Sequence, residues 1–80
     1  MAARELGPRG VTANVVSPGA TDTDLLRSTN TAEALEMTVR LTPLGRLGDP
    51  ADVADVVAFL AGPDGRWLTG QNLRAAGGIL

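Results

Sequence analysis

The sequence predicts an α/β fold with parallel strands, and three features predict it. A β-branched, mostly apolar run from Val11 to Ser17 lies between Gly10 and Pro18-Gly19, the pattern of a buried strand. A segment with helix signals at both ends, Asp49 to Gly62, carries an apolar face at helical spacing. A second short run, Gln71 to Ala75, follows it. Two strands joined through a helical crossover run parallel, because a hairpin turn leaves no room for a helix.

Taken in order, Ala2 to Leu6 reads as the last turns of a helix, expected over residues 1 to 6, because Gly7 and Pro8 both end helices. The strand expected over 11 to 17 has the look of a parallel strand buried on both faces. After Pro18-Gly19 the polar run ATDTD leads to Leu25, a loop or short helical turn. Asp22 and Asp24 suit caps for that short helix better than acid–base work, since no partner carboxylate or metal ligand stands nearby. Asn30 and Glu33 form a capping pair for a helix expected over 31 to 41. Its apolar residues split between two stripes, Leu35 with Val39 and Met37 with Leu41, as in a segment that packs on two sides or moves.

The helix expected over 50 to 61 is the clearest element. Asp49 is placed as N-cap, Pro50 at the first helical position, Asp52 in the first turn and Gly62-Pro63 at the stop. Val53, Val56, Val57 and Leu60 fall on one face, and Ala54, Ala58 and Ala61 thin its flanks. Asp64-Gly65 turns the chain, and the strand expected over 71 to 75 has the mixed polarity of a sheet edge.

Composition removes several function classes. A net charge of −2 supplies no positive field for a phosphate backbone or an anionic lipid surface, so no nucleic acid or membrane partner is expected. No apolar stretch approaches the roughly 20 residues that span a bilayer, and Met1 to Arg9 lacks the apolar core of a signal peptide, so a cytoplasmic location is the default expectation. The chain has no Cys and no His, and ATDTD lacks the spacing of a calcium loop, so no metal site is expected. With 80 residues and neither disulfides nor a structural metal, stability from an internal core should be marginal.

The blocks ELGPRGVTANVVSPGATDT, TPLGRLGDPADVADVVAFLAG and WLTGQNLRAAGG, in that order, resemble the last third of a short-chain dehydrogenase/reductase. The resemblance covers nearly the whole chain, and only the segment from about Asp24 to Leu41 falls outside it, where that family has its variable substrate-binding loop. It implies the C-terminal part of a Rossmann-type doubly wound parallel sheet, residues 1–80 being one segment of a single NAD(P)-binding domain. It further implies that Pro18-Gly19 lies against a nicotinamide ring, that the backbone at Thr21 meets the carboxamide and that the Thr23 hydroxyl reaches the diphosphate. The cofactor would be NAD or NADP, the substrate a small carbonyl compound or alcohol, and the assembly a homodimer or homotetramer built through the 49–62 helix and the final strand.

Other polar and aromatic residues carry humbler expectations. Asn14 is expected to support neighbouring backbone. Arg46, between Gly45 and Leu47-Gly48, is expected as a surface residue of a turn, with contact to a phosphate or a neighbouring subunit as the less favoured role. Trp67 is expected to bury its ring beside the 49–62 helix or at a subunit contact. Gly77-Gly78 matches the family's terminal diglycine, but Ala76 stands where an Asp is common, which removes any polar contact that Asp would make.

The catalytic residues that the resemblance calls for are missing. The family's reductases use a Tyr as general acid/base with a Lys four residues on, and this chain has neither Tyr nor Lys. A Gly-rich phosphate turn after a first strand is missing too, since Gly45 and Gly48 precede an Asp-capped helix. No catalytic residue is therefore assigned, and Met1 is expected to be an internal methionine of the helix that would bear the Tyr and Lys. The competing expectation is a small non-enzymatic module, derived from the same family, that pairs with a related subunit.

Overall fold

The computed structural model describes residues 2–79, so the parts of the first expected helix and of the terminal segment that fall on Met1 and Leu80 lie outside the described residues. Helix α1, Ala2–Leu6, runs into a 3-10 turn at Gly7–Arg9, where Pro8 and the left-handed Gly10 stop it. Strand β1 follows at Val15–Pro18, then helices α2 at Asp24–Thr29, α3 at Ala32–Leu41 and α4 at Pro50–Ala61, and strand β2 at Asn72–Ala75.

The strands pair in parallel, with Val15 opposite Asn72 and Pro18 opposite Ala75. Parallel pairing across a helical crossover is as expected. The first strand is shorter than its β-branched run, however, and begins at Val15 rather than Val11. The cause sits in the partner chain segment, where Gly70 takes φ +71° and bends away from extended geometry. One main-chain bond remains, from the Gly70 N–H to Ala13 O at 2.8 Å, and side chains supply the rest. Thr69 Oγ1 accepts from the Ala13 N–H at 3.0 Å, while Asn14 donates to Leu68 O at 3.0 Å and accepts from the Gln71 N–H at 3.1 Å. Asn14 thus has the supporting role expected of it.

Three capping expectations are corrected. Thr31, not Asn30, caps α3 by accepting from the Ala34 N–H at 3.1 Å, and Asn30 instead donates to Leu26 O at the end of α2. Thr23, not Asp22 or Asp24, caps α2, accepting from the Leu26 N–H at 3.2 Å. A Thr stands next to the expected residue in each case, and both have extended backbone at the cap. By contrast, Asp49 closes a capping box on α4 with Asp52, as the Asp-Pro start implies.

Helix α4 packs across β1 and β2. Val53, Val56 and Leu60 form its better-covered stripe. Val57, expected on that face, is 50% exposed, and Phe59 is 48% exposed. Trp67 is 95% exposed, so its ring does not lie against α4. Ala3 is the one buried apolar side chain among the described residues, and the shape is drawn out to 48 × 21 × 20 Å. Two strands and one helix leave most apolar faces open, as a sheet with further layers would require. No helix among the described residues is long and apolar enough to cross a membrane.

Candidate functional site

The four residues singled out from sequence, Pro18, Gly19, Thr21 and Thr23, lie on one continuous stretch at the carboxyl end of β1. That is where open α/β sheets place ligands. The Val15 N–H bonds Gln71 O and the Gly19 N–H bonds Ala75 O, so alternate N–H groups of β1 face β2. Pro18 falls at an alternate position whose N–H would face the opposite edge, so its missing donor leaves this pairing intact.

Packing within the chain by itself requires a glycine at position 19. A Cβ added there would lie 2.9 Å from both Cα and Cβ of Ala76. The loop leaving β1 therefore presses directly on the residue that follows β2.

Gly48 holds the next stretch. It donates to Ala20 O at 2.9 Å and accepts from the Asp22 N–H at 2.7 Å, a parallel bridge centred on Thr21. The main-chain N–H and C=O of Thr21 consequently point away from Gly48, and neither has a partner among the described residues. The Thr21 hydroxyl is occupied, donating to Gly19 O at 3.1 Å. Thr23 Oγ1 accepts the capping bond from Leu26, which leaves its hydroxyl proton for another acceptor.

Two exposed ion pairs brace the region. Arg27 donates to both carboxylate oxygens of Asp22, one at 2.8 Å, and this hydrogen bonding holds the Asp22 carboxyl below its ordinary value. Arg46 donates to Asp52 at 2.7 Å and to Leu47 O at 3.0 Å. Asp52 is lowered first by Arg46 and then by the Asp49 N–H. Arg46 is thus a turn residue tied to the start of α4, the favoured expectation.

A cavity of about 370 Å³ opens between this loop and the end of β2, lined by Ala20, Thr42, Leu44, Arg46, Gly48 and Gly77 among others. None of the four singled-out residues lines it. Sequence reasoning missed its floor, where Leu44 donates to Gly77 O at 3.0 Å and Thr42, 8% exposed, stands against Gly77. The diglycine was the available signal. Among the described residues no group of three His, Cys, Asp or Glu side chains could hold a metal ion.

Comparison with known proteins agrees with this architecture. A family profile described as enoyl-(acyl carrier protein) reductase matches residues 1–79. The chain is 46% identical over 77 residues to 3-oxoacyl-(acyl-carrier-protein) reductase of Vibrio cholerae, covering 96% of this chain and 31% of that protein. A crystal structure of 3-oxoacyl-(acyl-carrier protein) reductase from Brucella melitensis superposes with TM-score 0.92 at 38% identity, covering 98% of this chain and 29% of the other. An angucycline C-6 ketoreductase with bound NADP superposes with TM-score 0.85 at 44% identity, over 98% of this chain and 30% of the other. The chain spans about a third of the length of the curated relatives it matches. A profile match over nearly every residue, with the parallel β1–β2 pair and the loop that follows β1, means that the chain belongs to the short-chain dehydrogenase/reductase family.

Proposed function

We propose that residues 1–80 are the C-terminal segment of one NAD(P)-binding Rossmann domain in an oxidoreductase of the carbonyl reductase or alcohol dehydrogenase type. The observation that carries this reading is the loop after β1, locked at both ends and presenting unpaired main-chain groups at Thr21. An amide N–H and C=O held side by side match the carbonyl and amino groups of a carboxamide. The Thr23 hydroxyl, free to donate, suits a diphosphate oxygen. NAD or NADP fits these groups, and relatives are described with bound NAD and with bound NADP.

The bound nicotinamide would supply or accept the hydride. This chain's own residues orient and enclose. Gly19 and Thr21 hold the loop's position against the sheet end, Thr23 opens α2, and residues 24–41 form the substrate-side segment. Proton transfer belongs to groups outside these residues, since the chain holds no Tyr, Lys, His or Cys. Names of relatives that refer to 3-oxoacyl and 3-hydroxyacyl groups favour a 3-oxoacyl thioester or a related ketone as substrate.

Half-exposed Val57 and Phe59 on α4 and the exposed Trp67 support assembly into a homodimer or homotetramer through α4 and β2. The test is to purify the full-length protein that carries these residues and follow the absorbance of NADH and NADPH with ketones, aldehydes and 3-oxoacyl thioesters. Consumption of one cofactor is expected, and a flat trace with both would overturn the reading.

A further inference from the structure

Residues 24–41 leave the sheet end and return to it, and the extended packing that joins α4 to β1 and β2 includes neither α2 nor α3. Their placement therefore depends on how the two ends of the excursion are held. One end is the Thr21–Gly48 bridge. The other is the turn after β2.

There the Leu44 N–H bonds Gly77 O at 3.0 Å. A Cβ at Gly77 would lie 2.8 Å from Thr42 Cγ2, and one at Gly78 would lie 3.0 Å from Pro43 Cγ. Thr42 cannot rotate its methyl away without losing the 2.6 Å bond from its hydroxyl to Thr38 O, inside the last turn of α3. Pro43 has a rigid ring and cannot fold aside. The same strand end also bears on the cofactor-side loop, through Gly19 against Ala76.

We propose that Gly77 and Gly78 are positioning residues for substrate binding: their turn forms a seat for Thr42-Pro43-Leu44 and so fixes where α3 leaves the sheet. A turn alone would explain the left-handed backbone, φ +63° at Gly77 and +91° at Gly78. It would not explain why both missing side chains point at the three residues that follow α3. This inference rests on the reading of residues 24–41 as the substrate-side segment.

The experiment uses the full-length reductase with Gly77→Ala, alone and combined with Thr42→Ser, which deletes Cγ2 and keeps the hydroxyl. A displaced substrate segment weakens substrate binding, so Gly77→Ala should raise KM for the carbonyl substrate about tenfold while the cofactor Kd stays within about twofold. The double variant should recover most of the lost KM. An unchanged KM in folded Gly77→Ala, a cofactor Kd that rises as much as KM, or no recovery in the double variant would each overturn the proposal.

If Gly77→Ala yields no folded protein, amide hydrogen exchange on the unsubstituted reductase decides. Leu44 should then exchange far more slowly than Ala32 and Glu33 in the first turn of α3, and equal rates would overturn the seat. An unsubstituted reductase that reduces no carbonyl compound sinks the functional reading instead, and the Leu44 exchange rate still judges the seat.

Discussion

Replacing Gly19 by Ala in the full-length protein should destabilise the fold through β2, whatever it does to cofactor binding. The new Cβ would lie 2.9 Å from Cα and Cβ of Ala76, against an optimum of about 3.5–4.0 Å between carbon atoms. Neither side yields easily. The Gly19 N–H is bonded to Ala75 O at 3.0 Å, and Ala76 O accepts from the Ile79 N–H at 3.2 Å. Overpacking costs about 1–3 kcal/mol. Gly19 does not have positive φ, so restricting the unfolded chain returns about 0.4–1 kcal/mol. The net loss is roughly 1–2 kcal/mol, or about 2–8 °C in Tm for a domain of 150–250 residues. Thermal unfolding followed by circular dichroism reads this directly, and calorimetry on the same samples reads cofactor affinity. Adding Ala76→Gly should recover part of the Tm, since one of the two clashing atoms is gone. A Tm within about 1 °C of the unsubstituted protein would refute the packing argument, and if cofactor affinity alone fell, approach to the ring would be the better account of this glycine.

The remaining predictions concern Thr23, Asp22 and the 80-residue chain. Thr23→Val should weaken cofactor binding and also remove the α2 cap, a loss of about 1 kcal/mol; Thr23→Ser keeps the oxygen and should restore both, so equal Kd values for Val and Thr would count against a diphosphate contact. Because the Arg27 hydrogen bond lowers the folded-state value of Asp22, the pair's contribution is present above the ordinary aspartate pKa of about 3.9 and is lost as pH falls through the lowered value. A carboxyl-carbon NMR titration should place the Asp22 midpoint below that ordinary value, and Arg27→Gln should return it; no movement on substitution would refute the assignment. The isolated chain should turn over no ketone or aldehyde with NADH or NADPH, since it has no Tyr, Lys, His or Cys to donate a proton and, among the described residues, buries only Ala3 of its apolar side chains. Turnover that vanishes on replacing Thr21 or Thr23 would overturn this.

Elements with strong local grammar were legible in the sequence. Asp49-Pro50 and Gly62-Pro63 bound α4 to the residue, because capping and proline act within one turn. Parallel pairing followed from a strand, a helix and a strand in that order. The start of β1 was not legible, since it is set by Gly70 on the partner segment, far away in sequence. Nor was the choice of Thr23 and Thr31 over Asp22, Asp24 and Asn30 as caps, where several good capping residues stand side by side and chain direction decides. The outward turn of Val57 reflects how few layers cover α4 within these residues.

The site shows the same division between local and distant causes. Pro18 and Gly19 could be singled out because a strand end followed by Pro-Gly is a local pattern, and Thr21 and Thr23 through the family resemblance of the same block. What holds them was hidden, because Ala76 touches Gly19 and Gly48 brackets Thr21 from opposite ends of the later sequence. A glycine in a sequence signals either a special φ or a forbidden volume, and only the first can be guessed from its neighbours. Gly19 belongs wholly to the second kind, with ordinary φ and a Cβ position already filled by Ala76. Gly77 belongs to both. Together they make the end of β2 a common support, pressed by the loop after β1 at Ala76 and by the residues that follow α3 at Gly77. Substitutions at these two adjacent positions should therefore separate, one moving loop stability and the other moving substrate KM.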